Sequence, residues 1–336
     1  MKNLHDLTPG LVVDDSTASG LLGDPTLGGS FDTKSGTLKW VRLRVLLKMP
    51  VQLTAALWLV SLVVVALTIA PLFETAANVQ NLEVRFLAPF SLDHGWLNVL
   101  GADGLGRSEL GQLIVGARTS FLIAGGVVVV SATIGSAIGM LCGYAGGWVD
   151  ASLMRLADVI VALPTLLLAL AVLFVLGTSI INLVIVLALS RLPVYMRTAE
   201  AQTRSLRERT FVEASRSLGA SSRRIIVKDI APLVLPTVLT LAMLELAGVI
   251  LAAAGLSFLG LGLQRPDVDW GTLVADGRSY LTVAWWLTVF PGFAIALTAL
   301  AGNLLANWVR AMGDPNQSGR LVAKIMPKGN REPVDK

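Results

Sequence analysis

Apolar residues run through this chain in blocks too long and too continuous for a soluble fold. A helix crossing the ~30 Å hydrocarbon core of a bilayer needs about 20 apolar residues. Six blocks meet or approach that length: 51–72, 119–143, 157–177, 179–198, 233–256 and 281–309. The third and fourth are separated only by Gly-Thr-Ser-Ile, which predicts a tight turn between antiparallel spans. Prolines 164, 193, 236 and 291 lie within or at the ends of these blocks and predict kinks. Membrane helices tolerate such kinks when neighbours satisfy the freed backbone groups. Gly135, Gly139 and Gly143 recur every four residues, a stripe that lets two helices approach closely. The pattern predicts an all-α membrane protein of about six transmembrane helices.

Polar stretches divide the chain further. Residues 1–50 read as a largely flexible segment with a basic edge (Lys39, Arg42, Arg44, Lys48), 51–313 as the transmembrane domain and 314–336 as a tail. The connection 199–231 carries Arg204, Arg207, Arg209, Arg216, Arg223, Arg224 and Lys228, and the tail is basic as well. The connections 73–118 and 262–280 are balanced or acidic. The positive-inside rule therefore puts both termini, a 144–156 turn and 199–231 in the cytoplasm, with 73–118 and 262–280 outside.

Composition agrees with lipid as the main solvent: of 336 residues 54% are hydrophobic and 15% charged, and mean hydropathy is +0.69. Soluble domains average about 25% charged residues. The net charge of +4 is topological and does not call for nucleic acid. One cysteine, Cys142, excludes an intrachain disulfide, and His5 and His94 make no metal site. Two further charged sites stand out. Arg155 and Asp158, three apart, are expected to pair locally. Glu245 sits mid-span, where an acid costs about 2.5–3.5 kcal/mol on insertion scales and should face a partner helix or a watery path.

The stretch Glu213-Ala-Ser-Arg-Ser-Leu-Gly219-Ala-Ser-Ser-Arg-Arg-Ile-Ile-Val-Lys-Asp-Ile-Ala-Pro232 carries the sharpest signal. Helix formers precede Gly219, with Leu206, Phe211, Ala214 and Leu218 on roughly one face. Glycine accepts the left-handed conformation just past a helix end, and Ser221 or Ser222 can cap a second helix leading to the fifth span. The result is a helix–turn–helix elbow tied to spans four and five.

Glu213-Ala214-Ser215, then Gly219, Ile230 and Pro232, resembles the EAA loop of ABC importer permeases. Ser215 replaces the second alanine, and the Gly-to-Ile spacing suits the peptide and nickel branch. Residues 101–120 are similar to that branch's "GTDxxGRDxxSRxxxGARxS", matching at Gly101, Asp103, Gly106, Arg107, Gly116, Ala117, Arg118 and Ser120 and departing at Ala102, Ser108 and Gly111. Residues 154–164 match "MRxxDxxxAxP", and 255–271 resemble the family's end of span five, although Ala254 stands where many members carry an acid. The likeness is closest to the second permease subunit of dipeptide, oligopeptide or nickel importers, with a type I importer fold.

The resemblance implies coupling to an ATPase through Glu213, Ala214, Ser215, Leu218, Gly219, Ala220, Ser221 and Ile230. It implies a translocation path or external vestibule touching Asp103, Arg107, Arg118 and Glu245; for Arg118 a snorkelling position at the interface is the alternative. It further implies a homologous second permease, two ATP-binding subunits that use ATP and Mg²⁺, an extracytoplasmic substrate-binding protein, and a place in the bacterial cytoplasmic membrane. The chain has no GxxxxGK[ST] phosphate cradle and no cofactor of its own is expected. Peptides are the expected cargo, with nickel, haem or other small solutes as the alternative. From a different class, a self-contained secondary transporter or channel would show inverted repeats, and none is apparent. A scaffold would tolerate any residue at 219, and no catalytic constellation suggests an enzyme.

Overall fold

The computed structural model describes residues 50–91 and 94–313. They form helices and connecting loops, so the expected all-α architecture holds. Of the expected 1–50 segment only Pro50 is described, where it opens the first helix; the rest of it and the expected 314–336 tail lie outside the described residues.

Five helical stretches are long and apolar enough to cross a membrane. They are α1 (Val51–Asn78), α2 (Glu109–Ala145), α5 (Ile180–Arg207), α7 (Ser222–Leu261) and α9 (Trp286–Gly313). The sixth expected span is a pair, α3 (Gly147–Ala162) and α4 (Thr165–Leu176), bent by 89°. At the break Leu163 is extended and Pro164 is non-helical (φ −57°, ψ 123°), because proline disfavours the helical conformation in the residue before it and cannot donate to the turn behind it. Pro193, Pro236 and Pro291 stay inside helices.

The helices outrun the apolar blocks that predicted them, and the connections shrink. Residues 147–156 belong to α3 and are not a turn. The expected 73–118 loop loses both ends to α1 and α2, and the 262–280 loop contains the short helix α8 (Trp270–Gly277). The expected 199–231 loop reduces to 208–221 around α6 (Thr210–Ser217). At 1.5 Å per residue the 37-residue α2 is about 55 Å long. It therefore reaches from the 262–280 connection at one end of the bundle, the loop end, to the 208–221 connection at the other, the elbow end.

The glycine stripe does what its spacing implies. A Cβ on Gly135, Gly139 or Gly143 would fall 2.8 Å from the Tyr195 Cβ, 2.3 Å from the Met196 carbonyl oxygen and 2.5 Å from the Glu200 carbonyl oxygen. All three partners are on α5, so α2 and α5 lie backbone to backbone. Above this contact Ile123, Val127, Leu173, Leu187, Ile250 and Leu256 join α2, α4, α5 and α7 in one apolar core. Large apolar side chains such as Leu57, Val129, Phe174 and Leu251 remain outward, as lipid or a partner surface requires.

At the loop end, Trp270 pins the 262–280 connection to α2. It is fully buried, its backbone N–H donates to Ser120 Oγ (3.1 Å) and its indole to the Leu113 carbonyl (3.0 Å). The preceding Asp269 caps α8 through the Thr272 N–H (2.9 Å) and accepts from Ser257 Oγ (2.9 Å).

Candidate functional site

The elbow is built from the backbone outward. α5 ends where Glu208 leaves the helical conformation and Arg209 becomes extended. The Arg209 carbonyl then starts α6, accepting from the Val212 and Glu213 N–H groups at 3.0 and 3.3 Å. α6 closes with Leu218 N–H donating to Ala214 O, Gly219 N–H to Arg216 O and Ala220 N–H to Ser215 O, at 3.0, 3.0 and 3.1 Å. Gly219 has φ +80° and nothing within 4 Å of an added Cβ. Backbone sign, not space, is what selects glycine there. Ser221 Oγ accepts from the Arg224 N–H (3.4 Å), the expected cap. The second helix is continuous with the fifth span as α7, with a π-helical segment at Ile225–Ile230.

Side chains fasten this elbow on one side and leave the other bare. Val212, Ile225 and Ile230 are buried with Tyr195, Ala199, Val234 and Val238, so α6 is rooted on the ends of α5 and α7. Arg207 donates to the Tyr144 carbonyl (3.1 Å), and the Arg216 guanidinium lies 5.7 Å from the Tyr144 ring, which ties in α2. Outward stand Glu213, Ala214, Ser221, Phe211 at 40% exposure and Leu218 at 88%. Ser215 and Ala220 are half-buried. Leu206, Phe211, Ala214 and Leu218 thus do not share a buried face. The chain turns at 208–209, so the helical phase of Leu206 does not carry into α6, and Val212 is the anchor. Ile230 sits in the core beneath the elbow, not on its surface.

The other predicted residues fall into two groups. Mid-span, Glu245 of α7 faces Arg191 of α5 at 3.2 Å, a partner that the sequence did not single out. The contact runs from Arg191 Nη1 to Glu245 Oε2, and Arg191 Nε is buried without a hydrogen-bond partner among the described residues, so the arginine retains unused bonding capacity. At the loop end, Arg118 pairs with Glu74 of α1. Asp103 Oδ2 accepts from Arg107 Nε (2.7 Å), and its Oδ1 accepts from the Leu105 and Arg107 N–H groups (2.9 Å each). Burial pushes the Asp103 carboxyl upward, but the hydrogen bonds and charge of Arg107 outweigh it and hold the carboxyl below the usual aspartate range. Arg155 and Asp158 do not pair with each other. Asp158 binds Arg197 of α5, and Arg204 bridges Asp150 of α3 and Glu200. These two contacts staple the lower half of the broken span to α5. Their partners are too distant in sequence for helical spacing to reveal.

Comparison with known proteins fits this architecture. Residues 135–318 match the family described as binding-protein-dependent transport system inner membrane component. The chain is 36% identical over 271 residues to the probable D,D-dipeptide transport system permease protein DdpC of Escherichia coli (strain K12), covering 81% of this chain and 89% of the relative. It is 41% identical over 217 residues to the di/tripeptide transport system permease protein DppC of Pseudomonas aeruginosa (strain UCBPP-PA14), covering 65% and 72%. It is 38% identical over 283 residues to the glutathione transport system permease protein GsiD of Escherichia coli O6:K15:H31 (strain 536 / UPEC), covering 83% and 90%. With a helical bundle of five to six apolar spans and these matches across most of its length, the chain belongs to the family of membrane permeases of binding-protein-dependent ABC importers.

Proposed function

We propose that the chain is one of two permease subunits of a peptide importer and that its elbow receives the stroke of an ATPase. The elbow carries this reading. It roots Val212, Ile225 and Ile230 on two spans while presenting Glu213, Ala214 and Leu218 to a partner. An ATPase cleft closing on that face would tilt α5 and α7 together, because α7 begins inside the elbow. Hydrolysis of ATP with Mg²⁺ belongs to two such partner subunits. The elbow end is cytoplasmic, consistent with its cluster of arginines, and the loop end meets a substrate-binding protein outside the bacterial inner membrane.

Peptide cargo is supported by three relatives, each named for peptides: a D,D-dipeptide, di- and tripeptides, and glutathione. Within the membrane, the Arg191–Glu245 pair lines the path between this chain and the second permease. Its side chains are 30% and 18% exposed on the isolated chain, and a lipid-facing position would be costly for either charge. Alternating access then requires only that rigid segments move about this central region.

The test is purification of the tagged chain in gentle detergent with every associated protein sequenced. The proposal expects a second multi-span permease and P-loop ATPases. A chain recovered alone that moves solute in liposomes without ATP would overturn it.

A further inference from the structure

Between the two connections at the loop end lies a cavity of about 520 Å³, within the roughly 300–1,000 Å³ range of small-ligand sites. Much of its wall is a chain of satisfied polar groups. Gln112 Nε2 donates to Asp103 Oδ2 (3.2 Å), Arg265 donates to Gln112 Oε1 (3.0 Å), and Arg265 closes on Asp276 Oδ2 (2.7 and 3.0 Å). Arg107 is committed to Asp103. These charges hold one another and position the wall.

Three ionisable groups facing the same cavity, one buried carboxyl and two arginines, are left out of this chain of polar groups. Glu109 is 2% exposed, lines the cavity, and its Oε1 has no hydrogen-bond partner among the described residues. Arg85 and Arg278 stand exposed at the rim against aromatic faces, 5.1 Å from Phe86 and 5.6 Å from Phe258. Neither is within salt-bridge distance of a carboxylate among the described residues. A buried carboxyl oxygen without a donor is unfavourable, and it marks where a donor belongs. A simple cation would answer Glu109 and leave the arginines unmet, and an inorganic anion would do the reverse. A ligand with a cationic donor at one end and a carboxylate at the other answers both.

We propose that this cavity is an entry site for short zwitterionic peptides, the ammonium donating to Glu109 and the carboxylate meeting Arg85 or Arg278. The inference rests on the peptide-import reading for its ligand and for the cavity opening outward. It adds a binding step on the permease itself, before the transmembrane path.

The experiment uses the full chain with its co-purified subunits in nanodiscs, free of ATP and of binding protein, and radiolabelled alanyl-alanine as probe. Saturable binding is expected. Glu109→Gln should weaken it at least about tenfold, the scale of a lost charge-assisted hydrogen bond, and N-acetyl-alanyl-alanine should compete at least about tenfold worse than the free peptide. If Glu109→Gln fails to assemble, Arg85→Gln and Arg278→Gln, both at the exposed rim, decide the matter by the same loss of affinity. Absence of saturable binding to the wild type, unchanged affinity in the assembled variants, or equal competition by the acetylated peptide overturns the site. Parallel uptake by cells separates the two readings. Uptake without the site's binding removes only the site, whereas binding without ATP-dependent uptake removes the import reading.

Discussion

Gly219 and Glu245 mark two ways in which a single residue constrains this protein. At Gly219 the constraint is conformational: φ is +80° and the space around an added Cβ is open. A left-handed conformation costs a non-glycine residue about 1–2 kcal/mol, least for asparagine. Uptake should therefore fall in the order Gly219→Asn, Gly219→Ala, Gly219→Val at nearly constant membrane abundance, measured by transport in cells against immunoblotted protein. Equal uptake in the three would remove the turn from the mechanism. At Glu245 the constraint is electrostatic. Replacing it with Gln leaves Arg191 without its ion partner in mid-span, and one-sided loss of such a pair is worse than loss of both. Glu245→Gln alone should lower the thermal midpoint in detergent more than the double change Arg191→Gln/Glu245→Gln; the reverse order would show that the two are not coupled. The sequence placed Gly219 correctly because a helix end is a local event. It could not supply Arg191, 54 positions from Glu245, nor choose Val212 over Phe211 and Leu218 as the anchor. An apolar side chain kept for a partner and one kept for the core look alike in a string of letters.

Among the elements, α2 and α5 pack backbone to backbone and form one unit, so a tilt of α5 would carry α2 with it. Their contact depends on glycines at 135, 139 and 143, and the tightest approach is at Gly139. Gly139→Leu should force the helices apart and cost at least about 1–3 kcal/mol, with loss of folded protein on size-exclusion chromatography in detergent. A normal profile would mean that α2 and α5 can separate without consequence. The four-residue spacing made this contact legible, since small residues on one helix face serve few other purposes. Hydropathy also located the spans. Proline marked the place of the 89° break at Pro164 but not its size, because an apolar run with a proline reads the same whether the helix continues, as at Pro236 and Pro291, or stops. The ion pairs Asp158–Arg197 and Asp150–Arg204 that secure α3 against α5 depend on that packing, so they too became visible only in three dimensions.

Across the whole molecule, the elbow end and the loop end differ in how they are held and in what they leave exposed. The elbow has a thin attachment, through Val212, Ile225 and Ile230, and a bare face toward any partner. The loop end is locked by Trp270, Asp269 and the Asp103–Arg107 pair. Motion imposed at the elbow would therefore pass along α5 and α7 while the opposite surface keeps the geometry needed for recognition. The difference between the two ends was legible in charge, because the basic elbow and the balanced loops differ in composition, and the EAA-like pattern falls on the elbow. The central claim is that Glu213 lies where ATPase motion enters this chain. Its most direct test is Glu213→Lys in proteoliposomes with the co-purified ATPases and the binding protein, with peptide uptake and ATP hydrolysis measured together. The account predicts that the variant inserts and that hydrolysis persists, with uptake per ATP reduced at least about tenfold. Wild-type uptake per ATP in that variant would contradict it.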